Sequence, residues 1–261
     1  RLILQDIINI IESVAPLSFQ EDWDNSGLQV GNRNAEIKAA LLTVDVTESV
    51  VNEAISLGCD LIVSHHPLLF RGLKHLTGST PQERCVEKAI RHNIAIYSAH
   101  TSMDSYLHGV SGRMAEKLGI TDYHILIPST TQPQAGLGVI GKLPQPMNNE
   151  TFVNHVANVF ATKNAALRWV EGVNNEVQTV AICGGAGAEF VEAAIAQGAD
   201  AFVSADFKYH ELQGAYQRIT VVDMDHWVSE HFTREIFEEL LSPHIKTHMA
   251  HTDHSPVKYC L

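Results

Sequence analysis

Apolar residues recur along this chain with two alternating periods. Ile3, Ile7, Ile10, Ile11 and Val14 form a helical stripe over residues 2–14. Short apolar runs at 39–46, 61–63 and 94–97 predict buried strands, and the segments 49–57, 82–92 and 110–118 predict helices, two of them closed by Gly58 and Gly119. After residues 128–138, rich in Pro, Gly, Ser and Thr, the alternation resumes. Strands are expected from 139 and at 177–183, 201–203 and 219–222, and helices at 150–161, 189–197 and 228–241. Strands alternating with helices argue for an α/β fold with mostly parallel sheets flanked by helices.

The two halves resemble each other. Residues 51–64 align without gaps on residues 191–204 with seven of fourteen positions identical, among them Gly58/Gly198, Asp60/Asp200 and Ser64/Ser204. This predicts two similar lobes facing across a cleft. The expected division is residues 1–128 with 226–261 as the first lobe, 135–225 as the second, and 129–134 as a linker.

Composition narrows the class. A 261-residue chain that is 45% hydrophobic and 18% charged has ample material for a core. No apolar stretch nears the roughly 20 residues of a membrane span, and no secretory leader opens the sequence, so a cytoplasmic protein is expected. A formal charge of −12 argues against nucleic acid as a partner. The four cysteines form no C-x-x-C pair and read as free thiols.

The chemistry lies at strand ends. The run 61–63 stops at Ser64-His65-His66-Pro67, the run 94–97 leads into His100 and Asp104, and the run 219–222 leads into His226 and Glu230. Open α/β sheets place ligand sites beyond the carboxyl ends of their strands. His226 and Glu230, four apart at a helix start, share one face about 6 Å apart at ~1.5 Å rise per residue. His65 and His66 would point to opposite faces of a continuing strand, but a break at Pro67 lets both enter one cleft. These residues taken singly suit a capping acid, a turn or a surface histidine. Together they predict a centre for two divalent metal ions, held by His65, His66, Asp104, His226 and Glu230. Nitrogen and oxygen donors suit Zn, Mn, Fe, Ni or Co alike. The string Cys183-Gly184-Gly185-Ala186-Gly187 reads as a tight turn, with a phosphate cradle as the alternative.

Five segments carry a resemblance: 24–31 (Asp24-Asn25-Ser26-Gly27-Leu28-Gln29-Val30-Gly31), 65–70 (His65 to Phe70), 99–104, 206–210 and 226–230. In this order they resemble the signature of the Nif-three-like family, often described as GTP cyclohydrolase type 2 homologues. The resemblance implies two similar α/β lobes, the same five metal ligands with Glu230 as a bridge, and a homohexamer built as a trimer of dimers. The sequence departs from the family pattern at Ser204-Ala205, where Thr-Gly is usual, at Asp225, where Gly is usual, and at Ser255, where Asn is usual.

The reading that follows is a dinuclear metal-dependent hydrolase acting on a nucleotide or phosphoester-type small molecule. His100 would be a catalytic proton shuttle, and Lys208 and His210 would bind an anionic substrate. The alternative is a metal-binding scaffold or regulatory protein without turnover. The phosphoesterases named for an Asp-His-His motif fit less well, because Ser64 stands where their aspartate is required.

Overall fold

The structure is a computed structural model that describes residues 1–160 and 167–260. Its contacts divide the chain into two compact units, Arg1–Met103 with Thr233–His254, and Asp104–Phe232 with Ser255–Leu261.

The first unit holds a five-stranded sheet of β1 (Gly27–Val30), β2 (Ala39–Thr43), β3 (Leu61–Ser64), β4 (Ala95–Ser98) and β11 (Lys246–Met249), in the order β1-β4-β3-β2-β11. The β4-β3, β3-β2 and β2-β11 pairings are parallel, and β1 runs antiparallel at the edge. Its helices are α1 (Leu4–Glu12), α2 (Glu48–Leu57), α3 (Pro81–Arg91) and α10 (Thr233–Leu241), while α4 (Thr101–Asp104) ends where the second unit begins. Every residue of β2, β3 and β4 is buried, which is why these strands read as continuous apolar runs. Each fully buried Leu or Ile contributes about 1.5–3 kcal/mol.

The second unit holds a six-stranded sheet of β5 (Tyr123–Pro128), β6 (Gly136–Met147), β7 (Arg168–Val170), β8 (Val177–Ala186), β9 (Ala201–Ala205) and β10 (Thr220–Met224), in the order β5-β6-β8-β9-β10-β7. The β8-β9 and β9-β10 pairings are parallel, and the other three are antiparallel. The sheet carries α5 (Val110–Lys117), α6 (Asn149–Val159), α7 (Val191–Ala196), α8 (Tyr209–Ala215) and α9 (His226–Glu230). The predicted helix 150–161 corresponds to α6, and position 161 lies outside the described residues.

The sequence repeat follows the same path in each unit. Gly58 and Gly198 close α2 and α7 at φ 68° and 80°. The Asp60 carboxylate accepts from the amides of Lys38 and Ala39, both at 3.1 Å. Asp200 accepts likewise from Gln178 and Thr179, at 3.0 and 2.8 Å. The backbone of each aspartate also joins its two neighbouring strands, through Asp60 N to Ala39 O and Ala95 N to Asp60 O, and through Asp200 N to Thr179 O and Thr220 N to Asp200 O. The shared aspartate therefore ties three parallel strands together at their starting ends.

The units divide at other residues than the sequence predicted. Residues 129–134 connect β5 to β6, antiparallel neighbours in one sheet, so they form the tip of a hairpin inside the second unit. Residues 104–128 also belong to that unit, because β5 pairs there and α5 packs on β6 and β8. At the other end, the predicted helix 228–241 is two helices: α9 stays with the second unit and α10 packs on α1 in the first.

Candidate metal centre

In the first unit, two strand ends deliver three imidazoles to one place. Past β3 the ladder continues for two more bonds, His65 N to Thr43 O at 3.2 Å and His66 N to Val44 O at 2.9 Å. Ser64 Oγ then donates to His66 O at 2.8 Å and draws the chain back on itself. The two rings consequently lie 5.1 Å apart instead of on opposite faces. His100, just past β4, stands edge-on to both, its ring centre 5.3 Å from each. One ring nitrogen from each of His65, His66 and His100 falls within 4.8 Å of the others, a spacing that could hold a metal ion.

Each of these rings is oriented through Nδ1. His65 Nδ1 lies 2.9 Å from Ala99 O, His66 Nδ1 2.7 Å from Asp45 Oδ1, and His100 Nδ1 2.8 Å from Asp24 Oδ1. A ring that donates from Nδ1 to oxygen carries its lone pair on Nε2, the arrangement usual around metal-binding histidines. Asp24 is in turn held by the amide and hydroxyl of Thr101, at 2.9 and 2.5 Å, and by Ser26 Oγ at 3.0 Å. Burial raises the Asp24 pKa, but the bonds from His100 and Thr101 outweigh it and hold the carboxyl well below its usual range. The segment Asp24 to Gly31 thus has a structural reason: Asp24 orients His100, while Asn25 Nδ2 donates to Leu69 O and Gln29 Oε1 accepts from Leu69 N.

In the second unit, α9 begins with His226 and ends with Glu230. His226 Nε2 lies 2.8 Å from Glu230 Oε2, and Nδ1 lies 2.6 Å from Asp206 Oδ2. Asp206 follows β9 in the left-handed conformation, φ 62°. By the repeat it occupies the position of His66, so a histidine in one unit is matched by an orienting carboxylate in the other. Glu230 is almost fully buried, and space for it is made by Gly185, where a Cβ would fall 2.1 Å from Glu230 Oε1 and 3.4 Å from His226 Nε2. A side chain there would fill the cradle, so the donor set and its surroundings suit a bound cation. Asp104 ends α4 and, with Glu230, contributes the negative field that pushes the buried Cys183 thiol upward, after the larger effect of burial.

The amides of Gly184 and Gly185 donate to Ser111 Oγ and Ser229 Oγ, at 3.2 and 2.8 Å. They hold β8 to α5 and α9 in place of a phosphate, and the string continues as strand β8 through Ala186 where the sequence predicted a tight turn. Exposed Lys208 caps the start of α8 and exposed His210 lies in its first turn, where the Lys208 amide bonds Glu211 and the His210 ring bonds Gln213. The structure brings neither into hydrogen bonding with His226 or Glu230. Two departures from the family pattern meet each other: Ser255 Oγ donates to Asp225 Oδ2 at 3.0 Å, and Asp225 Oδ1 caps α9 through Val228 N at 3.1 Å. Asp225 therefore secures the start of the helix that carries His226.

Burial lowers the basicity of His226, but its bonds to Glu230 and Asp206 outweigh burial and raise it to about 9. In the metal-free protein the protonated ring stabilises the fold fully below its unfolded pKa of ~6.5. That contribution is lost as pH rises towards 9. A cation must displace this proton, so adding Zn or Mn to chelator-treated protein at pH 7.5 is expected to release protons, measured in a weakly buffered solution with an indicator dye. Uptake of metal with no proton released would show that His226 is not a ligand.

Oriented imidazoles and carboxylates past the strand ends define an α/β protein whose clusters could hold a divalent metal. The chain belongs to the Duf34/NIF3 (NGG1p interacting factor 3) family, whose model matches residues 2–256. It is 36% identical over 228 residues to a "GTP cyclohydrolase 1 type 2 homolog" of Clostridium perfringens, covering 87% of this chain and 86% of that one. A Streptococcus pneumoniae protein with the same description is 32% identical over 240 residues, 90% of this chain and 89% of the other. The fold matches the crystal structure of a Bacillus cereus protein related to NIF3, with TM-score 0.88, 24% identity and 99% of each chain covered.

Proposed function

We propose that this protein is a dinuclear metal-dependent hydrolase acting on a nucleotide or phosphoester-type substrate. His65, His66, Asp104, His226 and Glu230 would hold two divalent ions, with Glu230 as the bridge. The observation that carries this reading is the common orientation of four histidines, each with Nδ1 against an oxygen, which turns Nε2 towards the role of metal ligand or proton carrier. Divalent ions held there would supply Lewis acidity and lower the pKa of water towards neutrality. His100 moves a proton at Nε2, and Asp24 stabilises the charged ring as it does so. The relatives described as GTP cyclohydrolase homologues favour opening of a purine ring as the specific reaction. A homohexamer, a trimer of dimers in the cytoplasm, completes the proposal. Light scattering before and after chelation tests it, with an unchanged hexamer expected because subunit burial rather than metal holds the ring.

The decisive experiment is a nucleotide panel offered to protein loaded with Mn or Zn, beside Glu230→Gln and His100→Ala. Turnover is expected in the parent and lost in both variants, with metal content falling further in Glu230→Gln. Equal or greater metal loss in His100→Ala would make His100 a ligand instead of a shuttle. Metal retained with no turnover of any nucleotide would leave the scaffold reading.

A further inference from the structure

Beside the three imidazoles lie two aromatic rings that the core does not use. Trp23 is 60% exposed and Phe70 44% exposed, with ring centres 6.0 Å apart and planes inclined at 60°, so a flat ring lying on one face would meet the other ring at its edge. The indole stands edge-on to His100 at 5.9 Å, so the pair adjoins the histidine cluster. Large apolar rings left in water are ordinarily mobile, yet these are fixed by their neighbours in sequence. Next to Trp23, the Asp24 amide donates to Glu21 O at 3.1 Å and the Asp24 carboxylate holds His100 and Thr101. Next to Phe70, Leu69 is bonded through both backbone groups, by Gln29 Oε1 and Asn25 Nδ2. The segment from Asp24 to Gln29 therefore both orients His100 and anchors the backbone beside the two rings.

The surrounding charge indicates what such a shelf would take. Arg71 and Lys74 follow Phe70 on the same loop and are exposed, and among the described residues neither has an ion-pair or hydrogen-bond partner. Exposed Asp22 precedes Trp23 in sequence and offers oxygens to N–H groups rather than to phosphate. A flat ring with N–H groups at one side and an anionic group at the other satisfies all three features. Stacking on an aromatic side chain also tolerates any base, since each has a π-face.

We infer that Trp23 and Phe70 form a stacking shelf for the heteroaromatic base of a nucleotide, with Arg71 and Lys74 on its phosphate side. This rests on the nucleotide reading of the same site and assigns the residues that recognise the base. The shelf is a binding element: its rings touch substrate but move no proton.

The test is binding of guanosine monophosphate and of ribose 5-phosphate to full-length, metal-loaded protein. Titration calorimetry reads affinity, and tryptophan emission reports stacking on the indole. Guanosine monophosphate should quench the emission, and Trp23→Leu should abolish most of that quenching and weaken binding about tenfold or more. Phe70→Leu should weaken the same ligand in the same direction. Neither change should alter ribose 5-phosphate affinity or metal content. The inference is overturned if both ligands bind the parent equally, if Trp23→Leu leaves nucleotide affinity unchanged, or if light scattering shows that Trp23→Leu alters subunit assembly, because the rings would then be covered by another copy. Trp23-dependent binding without turnover keeps the shelf and removes the hydrolase reading. Turnover indifferent to Trp23 does the reverse.

Discussion

Asp24→Ala is expected to destabilise the metal-free protein by about 2–4 kcal/mol, since each buried donor left without its acceptor costs about 1–3 kcal/mol. The Asp24 side chain is fully buried, and its loss strands the Nδ1–H of His100, the amide and hydroxyl of Thr101 and the hydroxyl of Ser26. Urea denaturation with chelator present measures it. Asp24→Asn keeps one acceptor oxygen and should fall between the two. The pH dependence has a defined sign. Because the folded pKa of Asp24 is depressed, its contribution is present above the unfolded value of ~3.9 and is lost as pH falls towards the folded one. The gap between parent and Asp24→Ala should therefore be widest near neutrality and narrow below pH ~4. A gap that grows on acidification would contradict the assignment.

Gly185→Ala should damage the second unit in two ways at once. At φ 71° an alanine costs about 1–2 kcal/mol in backbone strain alone. Its Cβ would also lie 2.1 Å from Glu230 Oε1, and the carboxylate has little room to withdraw, being buried on a helix whose Ser229 holds the Gly185 amide. Overpacking of this kind adds about 1–3 kcal/mol. Gly198→Ala supplies the control, since φ there is 80° but nothing lies within 4 Å of the added carbon. Thermal unfolding should rank Gly185→Ala well below Gly198→Ala, and elemental analysis should find metal lost from the first variant alone. Identical behaviour would mean that strain, and not the crowding of Glu230, sets the cost.

The strand ends were legible in the sequence because β2, β3 and β4 are buried on both faces and so stand out as apolar runs with abrupt polar stops. The repeat was legible because Gly58/Gly198 and Asp60/Asp200 perform the same backbone task twice. Strand β1 was not, since Gly27-Leu28-Gln29-Val30 is an edge with one buried residue and no alternation to read. Residues 129–134 resembled a linker because hairpin tips and linkers draw on the same Pro, Ser and Thr residues. The boundary near residue 232 was hidden because the apolar spacing runs on through α9 and α10 although they belong to different units.

The orienting partners were the least accessible part of the candidate site. Asp24 acts on His100 across 76 positions, Asp45 on His66 across 21, and Asp206 on His226 across 20. Local periodicity carries no information over such distances. Only the repeat offered a hint, by placing Asp206 opposite His66. Gly185 was visible as part of a glycine-rich string, but the occupant of the space it leaves is a carboxylate from α9 and not a phosphate.

The first unit is discontinuous along the chain, and this bears on synthesis. Strand β2 is completed on one side by β3, some twenty residues later, but on the other by β11, whose Lys246–Met249 emerge after the whole of Asp104–Phe232. Until then Ala39–Thr43 presents unpaired backbone groups to whatever strand comes near, a recognised hazard for misassembly on the ribosome. The nascent chain must hold this edge open while an entire intervening unit is translated, so a chaperone that shields apolar strands should associate most strongly with ribosome-bound fragments ending between residues 104 and 245.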